Sequence, residues 1–275
     1  MDLSYNRGLD RETAEFYARA LETLDRSGVP FLLGGAYALA QYTGVVRHTK
    51  DLDVFMRRED VDVALAVLGA TGLETERSFP HWLAKARQGD RYIDLIYGSG
   101  NGVALVDDDW FVHAEQGETV GRSVLLIPPE EMIWSKAWVQ ERERYDGADV
   151  MHLLRATASR LDWERLLRRF GARWRVLLSY TVLFGFVYPG MRQQVPDWVQ
   201  RLLLEHLQTE LSGPALNGDQ SLCQGTLLSR EQYCVDVRDW GHEDARTRAD
   251  VAMTPDDIQH WTDAIQRREE ERRAS

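Results

Sequence analysis

The chain has 275 residues, 44% hydrophobic and 28% charged, an ordinary globular composition with room for one large domain or two smaller ones. Lys plus Arg number 33 against 44 Asp plus Glu, a formal charge of −11, which argues against a general nucleic-acid coat protein and leaves only a local basic patch open. Cys223 and Cys234 are the only cysteines, and the N-terminal stretch is too polar for a signal peptide, so reduced thiols in a cytoplasmic protein are expected. The longest apolar run, Val176 to Val187, is broken by Ser179 and Thr181 and stops at Pro189-Gly190. A bilayer span needs roughly 20 residues, so this run predicts a buried helix and no membrane partner.

In chain order, Arg11 to Ser27 has helical spacing, with Ala14, Ala18, Leu21 and Leu24 on one stripe and Gly28 as its stop. Val29 to Leu33 predicts a buried strand, Gly34-Gly35 a turn into a helix through Tyr42, and Thr49 to Phe55 a second strand. Asp60 to Leu68 reads as a helix. His81 to Ala86 and Arg91 to Tyr97 read as a hairpin about Gly89-Asp90, and Val112 to Glu115 and Ser123 to Ile127 as short edge strands. After Pro128-Pro129 the pattern turns helical: Glu130 to Arg144, Asp149 to Ala158, Trp163 to Phe170, Arg173 to Val187 and Asp197 to Leu211. Leu211 to Gly225 has loop composition, and Leu227 to Val237 predicts a short strand or turn. Thr254-Pro255-Asp256-Asp257 starts a last helix, with Thr254 as cap and Asp257 placed for a capping-box contact.

Strand residues two apart share a face, so Asp51 and Asp53 project together while Leu52 and Val54 point away. Asp60-Val-Asp62 and Asp107-Asp-Asp109 have the same spacing, but at a helix start and in an acidic turn, where solvated caps are expected. Asp51 and Asp53 differ because they lie on an apolar strand after Gly34-Gly35, where an unpaired carboxylate pair is costly to bury. A cation between the carboxylates and a phosphate at the glycine turn would meet both needs, which marks a candidate nucleotide-and-metal site. Asp94, on the strand Arg91 to Tyr97 with Ile93 and Leu95 facing the other side, is placed to supply a third carboxylate.

At these residues the chain resembles the nucleotidyltransferase superfamily, whose pattern is Gly-Gly or Gly-Ser, a helix, D-x-D and a later strand aspartate. Within it, Arg47-His-Thr-Lys-Asp-Leu-Asp53, Pro128-Pro-Glu-Glu-Met-Ile-Trp-Ser-Lys136, Arg142 and Asp146-Gly-Ala-Asp149 are most similar to the AbiEii-type bacterial toxins, over about residues 30 to 160. Many relatives carry Gly-Ser where this chain has Gly34-Gly35, which removes a hydroxyl able to touch a phosphate. The resemblance implies an α+β fold, with a nucleotidyltransferase-type mixed sheet flanked by helices and then a mainly helical C-terminal domain. The expected divisions are 1–127 for the catalytic domain, 128–212 for a helical domain completing the nucleotide cleft, and 213–275 for an extension with a terminal helix.

The implied reaction is Mg²⁺-dependent transfer of a nucleoside monophosphate from an NTP, with two ions held by Asp51, Asp53 and Asp94. Asp94 would also help deprotonate the acceptor hydroxyl. Gly34, Gly35 and Lys136 would hold the triphosphate, with Arg47, Lys50 and Asp149 as further nucleotide-binding residues. The family suggests a tRNA 3′ end or a protein as acceptor, and an antitoxin-like partner; a small hydroxylated molecule, as for antibiotic nucleotidyltransferases, is the alternative. A non-catalytic nucleotide-binding module is a second class of reading.

Structural roles compete at several of these positions. Lys136 falls near an apolar helix stripe, where it either snorkels outward or meets a phosphate. Asp146 is an expected N-cap, and Arg47 and Lys50 are possible salt-bridge partners of Asp51. Arg165, Arg168, Arg169, Arg173 and Arg175 read as a solvated helix face, or as an RNA-backbone contact if they border the cleft. No H-x-x-x-H metal spacing or G-x-S-x-G motif occurs, and Trp134 and Trp138 are expected in a core.

Overall fold

The structure, a computed structural model, describes residues 9–47, 49, 51–213 and 221–274. Helix α1 (Arg11–Ser27) begins where the Asp10 carboxylate accepts from the Thr13 N–H and ends at Gly28, whose φ of 75° permits the left-handed cap. Its buried face is Phe16, Tyr17, Ala20, Leu21 and Leu24. That face is rotated from the expected stripe, because two large aromatics outweigh Ala14 and Ala18 in buried area. Strand β1 (Leu32–Leu33) then leads into α2 (Gly35–Thr43), and β2 (Asp51–Phe55) follows. Helix α3 (Val61–Ala70) precedes β3 (Glu74–Phe79), β4 (Leu83–Gln88) and β5 (Arg91–Ile96).

The chain continues through α4 (Asp108–Val112), β6 (Glu115–Thr119) and β7 (Arg122–Leu126). The seven strands form one mixed sheet in the order β3-β4-β5-β2-β1-β7-β6, with β2 parallel to β5, β1 parallel to β7, and the other pairs antiparallel. The expected α+β class is therefore found. Two local expectations fail at the edges of the sheet. Strand β3 was not anticipated: its first four residues are exposed, so no apolar alternation announces it. Val112, the first residue of the expected strand Val112 to Glu115, instead ends helix α4, which Asp107 caps by accepting from the Asp109 N–H and which buries Trp110, so the strand starts only at Glu115.

Helices α5 (Pro129–Lys136), α6 (Gly147–Thr157), α7 (Trp163–Phe170), α8 (Trp174–Val187) and α9 (Asp197–Ser212) follow. Helix α5 stops at Lys136 instead of reaching Arg144, since a bridge between Gln140 and Tyr145 folds the chain back. Helix α8 buries Trp174, Leu177, Tyr180, Thr181 and Phe184 but leaves Phe186 83% and Val182 64% exposed, so it is a one-sided helix rather than a buried one. No described helix is long and apolar enough to cross a membrane. Beyond α9 lie β8 (Leu222–Cys223), α10 (Cys234–Arg238), β9 (Glu243–Asp244) and α11 (Pro255–Ala274), with β8 and β9 paired in parallel. The stretch Leu227 to Val237 thus contains helical turns and no strand.

The chain divides into two compact units, one comprising residues up to Pro128 with Ala252–Asp263, the other Pro129–Val251 with Ala264 onward. The returning segment joins the first unit through the Ala252 N–H donated to Gly102 O, 2.9 Å. Thr254 and Asp257 form the expected capping box, each side chain accepting from the other's backbone N–H at 3.2 and 2.9 Å. Trp261 then packs edge-on against Phe79 and Trp82, with ring centroids 4.7 and 5.3 Å apart.

Candidate active site

Strand β2 positions Asp51 and Asp53, while Leu52 and Val54 are fully buried on its other face. The parallel strand β5 places Asp94 directly beside Asp53, with Ile93 and Leu95 fully buried on the opposite face. One carboxylate oxygen from each of Asp51, Asp53 and Asp94 lies within 4.8 Å of the other two. Three acids so close repel one another unless a positive charge joins them. All the donors are hard oxygens, the set that suits Mg²⁺ and similar divalent ions. The residues present therefore fit a divalent metal site.

The glycine turn is built around Asp53. The Gly34 N–H donates to Asp53 O at 2.9 Å, which fastens the end of β1 to β2. Gly35, the first residue of α2, has φ +55°, and a Cβ there would lie 1.6 Å from Asp53 Oδ2. A Cβ on Gly34 would meet the Phe55 ring at 2.2 Å. Neither position admits a side chain without movement, and the helix N-terminus thereby comes directly against the carboxylates.

Groups beneath and beside the acids complete the first unit's site. The Thr49 hydroxyl donates to Asp51 Oδ1. Tyr17 is fully buried, and burial, followed by the charges of Asp51 and Asp53, raises its phenol far above the ordinary tyrosine value. Tyr92 is raised by burial first and then by Asp51. Both phenols consequently keep their protons at neutral pH. Arg47 lies exposed ahead of β2, and Lys50 lies outside the described residues.

A cation was missed in reading the sequence. Lys85 Nζ donates to Asp94 Oδ1 at 2.6 Å and lies 4.4 Å from the centroid of the Tyr92 ring. Its place follows from hairpin register: Gly89-Asp90 forms the turn, Gln88 pairs with Arg91, and Lys85 therefore faces Asp94. That turn was visible in the sequence, so counting back from it would have found the pair.

In the helical unit, Lys136 Nζ contacts Asp146 Oδ2 at 3.0 Å and Asp149 Oδ2 at 2.8 Å. Asp146 makes no capping bond to α6 and instead also meets Arg144 at 3.3 Å, which replaces the expected N-cap role by an ion pair. Burial pushes its pKa up, but Lys136 and Arg144 together outweigh burial and hold the carboxyl below its usual value.

The arginine run is a solvated face only at Arg168 and Arg175, which are exposed; the others are buried or half-buried. Arg165 is buried against Glu130, and Arg169 donates to the fully buried Glu131 at 3.0 Å. Arg173 pairs with Asp250 at 2.7 Å, and Arg175 pairs with Glu210. The sequence pattern hid these pairings because the acids lie on other elements.

Comparison with known proteins places this site in a family. No curated protein matches the chain. Among solved structures it is similar to the antibiotic-resistance factor ANT(2'')-Ia, at 19% identity and a TM-score of 0.44, covering 62% of this chain and 96% of that one. A lincomycin-bound lincosamide antibiotic adenylyltransferase, LnuA, is 17% identical at a TM-score of 0.39, covering 53% and 98%. An antigenic nucleotidyltransferase-like protein from Paracoccidioides brasiliensis is 14% identical at a TM-score of 0.41, covering 68% and 94%. The model of a family described as uncharacterised nucleotidyltransferase matches residues 6–183, a span that contains the glycine turn and all three aspartates, and the chain belongs to that family.

Proposed function

We propose that this protein moves a nucleoside monophosphate from an NTP to an acceptor hydroxyl, with Asp51, Asp53 and Asp94 holding two Mg²⁺ ions. The observation that carries the proposal is the convergence of three carboxylate oxygens within 4.8 Å in a chain of a nucleotidyltransferase family. Bound divalent ions would neutralise the phosphates and the developing charge of the leaving group. The chain's own residues do the rest. Gly34 and Gly35 let the triphosphate approach the N-terminus of α2, and Arg47 and Lys50 flank the acids as phosphate-binding cations. The acceptor oxygen attacks the α-phosphorus, the α–β phosphoanhydride bond breaks, pyrophosphate leaves, and Asp94 takes the hydroxyl proton. Lys136 and Asp149 contribute to nucleotide affinity, which Lys136→Ala tests directly by nucleotide titration.

The acceptor we favour is a macromolecular hydroxyl, on a protein or a tRNA 3′ end, in keeping with the AbiEii-type resemblance and its antitoxin-like partner. A formal charge of −11 and the pairing of Arg165, Arg169, Arg173 and Arg175 with acids favour protein over RNA. The same charge balance supports a small hydroxylated acceptor as the second reading.

Incubation with each labelled NTP, Mg²⁺ and a cell extract tests the reaction, and protease or nuclease treatment of the product sorts the acceptors. A label that resists both and stays in the small-molecule fraction selects the second reading. If the Asp51→Asn, Asp53→Asn double variant transfers as well as the parent, these carboxylates do not carry the reaction, and if no labelled acceptor forms, transfer itself is wrong. Nucleotide binding without turnover would then describe a binding module.

A further inference from the structure

We infer that Gln41, in the last turn of α2, is a positioning residue for the triphosphate: it clips the helix to the outer edge of the sheet and so steadies the Gly34-Gly35 end. The inference rests on the reading of that glycine turn as a phosphate site. Gln41 Nε2 donates to Glu118 O at 2.7 Å, and Gln41 Oε1 accepts from the Glu118 N–H at 3.0 Å. Thr119 and Arg122 close the β6–β7 hairpin about Val120-Gly121, so Glu118, one residue back, turns its backbone groups away from β7. The Gln41 amide therefore makes both bonds that another strand would make at that point of the edge.

Gly117 supports this role from the strand side. A glycine weakens a strand interior, yet here a Cβ would lie 2.6 Å from Gln41 Oε1, as well as 2.7 Å from the Leu126 side chain. The adjacent Tyr42 hydroxyl donates to Ile127 O at 2.8 Å, so two consecutive residues tie the end of α2 to β6 and to the residue after β7. At its start α2 has no side-chain cap, and the Gly34 N–H is fastened to Asp53 O. A helix of nine residues has little stability of its own, so its orientation depends on such ties. Fixed at both ends, it offers its first N–H groups already in place; freed at one end, it must be ordered by the phosphate, at a cost in affinity.

Calorimetric titration with Mg²⁺ and inorganic tripolyphosphate, and with each of the four NTPs, tests this without reference to activity. Gln41→Met keeps the length of the side chain without its hydrogen bonds, and should weaken every such ligand that the parent binds by about threefold to tenfold. Mn²⁺ binding, followed by electron paramagnetic resonance, should stay parental, because the β2–β5 ladder and not α2 aligns Asp53 with Asp94. Thr71→Ala removes a hydrogen bond at the end of α3 and should leave phosphate affinity unchanged. Thermal melts establish that each variant is folded, and Gln41→Ala serves in place of Met if Met fails to fold.

Equal phosphate affinity in the parent and the Gln41 variant would overturn the role of Gln41. An equal fall in Mn²⁺ affinity, or an equal loss in Thr71→Ala, would also overturn it, since Gln41 would then support the unit in general and not the phosphate turn. Should the parent bind neither tripolyphosphate nor any NTP, the phosphate reading itself falls and this inference with it. A parent that binds beside an unchanged variant and a parent that does not bind are therefore distinct results.

Discussion

Gly35 and Asp53 occupy neighbouring parts of one small space: a Cβ on the glycine would lie 1.6 Å from the carboxylate Oδ2. The second glycine of the turn is required twice over, once by φ +55° and once by the acid beside it. This also bears on the Gly-Ser of many relatives, since a serine here would displace Asp53 or force the turn to a different φ. Gly28 separates the two requirements, having φ +75° and nothing within 4 Å of a built Cβ. Gly28→Ala should cost about 1 kcal/mol from backbone strain alone. Gly35→Ala should cost about 2–3 kcal/mol and lower Tm by roughly 2–4 °C per kcal/mol. Only the Gly35 variant should lose Mn²⁺ binding. Equal melting and equal ion binding in the two variants would show that Asp53 is not held by the turn.

Asp53 stands beside Asp94 in the parallel ladder and beside Asp51 on its own strand, so its charge is opposed from two sides. Asp53→Asn should lower transfer by about 10²–10³-fold or more, the scale on which a single transition-state electrostatic contact is lost. In the ion-free protein the same variant should be no less stable than the parent, because it relieves like-charge repulsion. Labelled-NTP transfer and urea unfolding in chelator measure the two effects. A large fall in stability with activity retained would make Asp53 a structural acid.

Much of this site was legible because it depends on local rules. Period-two alternation put Asp51 and Asp53 on one face, and the apolar neighbours of Asp94 turned it the same way. Helix starts at Asp10 and Thr254 followed from capping chemistry. What escaped was set by partners distant in sequence or by exposed edges. Strand β3 has no apolar alternation, and the acids that neutralise Arg165 and Arg169 sit 34 to 38 residues away. Lys85 lay between these cases, since its partner could be counted from the Gly89-Asp90 turn but its charge had no local signal.

The buried arginines give a prediction in the helical unit. Glu131 is fully buried and faces Arg169 at 3.0 Å and Arg165 at 3.7 Å. Glu131→Ala removes the carboxylate that Arg169 hydrogen-bonds and one of the two acids beside Arg165, which keeps Glu130, and should destabilise by about 3 kcal/mol. Glu15→Ala breaks an exposed i,i+4 pair with Arg11 that solvent screens and should leave stability almost unchanged. Urea midpoints at neutral pH compare them. Similar small shifts for both would mean that the interior reorganises around the loss of Glu131.

Asp146 gives an acid-side prediction in the same unit. Burial raises its pKa, but Lys136 and Arg144 more than reverse this, leaving the folded value below that of an ordinary aspartate. In the unfolded chain the carboxyl returns to about 3.9, so unfolding at acid pH takes up a proton. The stabilisation from Asp146 is therefore complete above the unfolded pKa and disappears as pH falls through the lower folded pKa. Asp146→Asn should be less stable than the parent at neutral pH, with the gap closing as the solution is acidified below about pH 4. Lys136 keeps Asp149 as a partner at 2.8 Å in the variant, so the change reads Asp146 and not the loss of every charge around the lysine. Unfolding free energies of both proteins from pH 7 to pH 3 measure the gap. A gap of constant size across that range would show that Asp146 has the same pKa folded and unfolded, and that its ion pair adds nothing to acid stability.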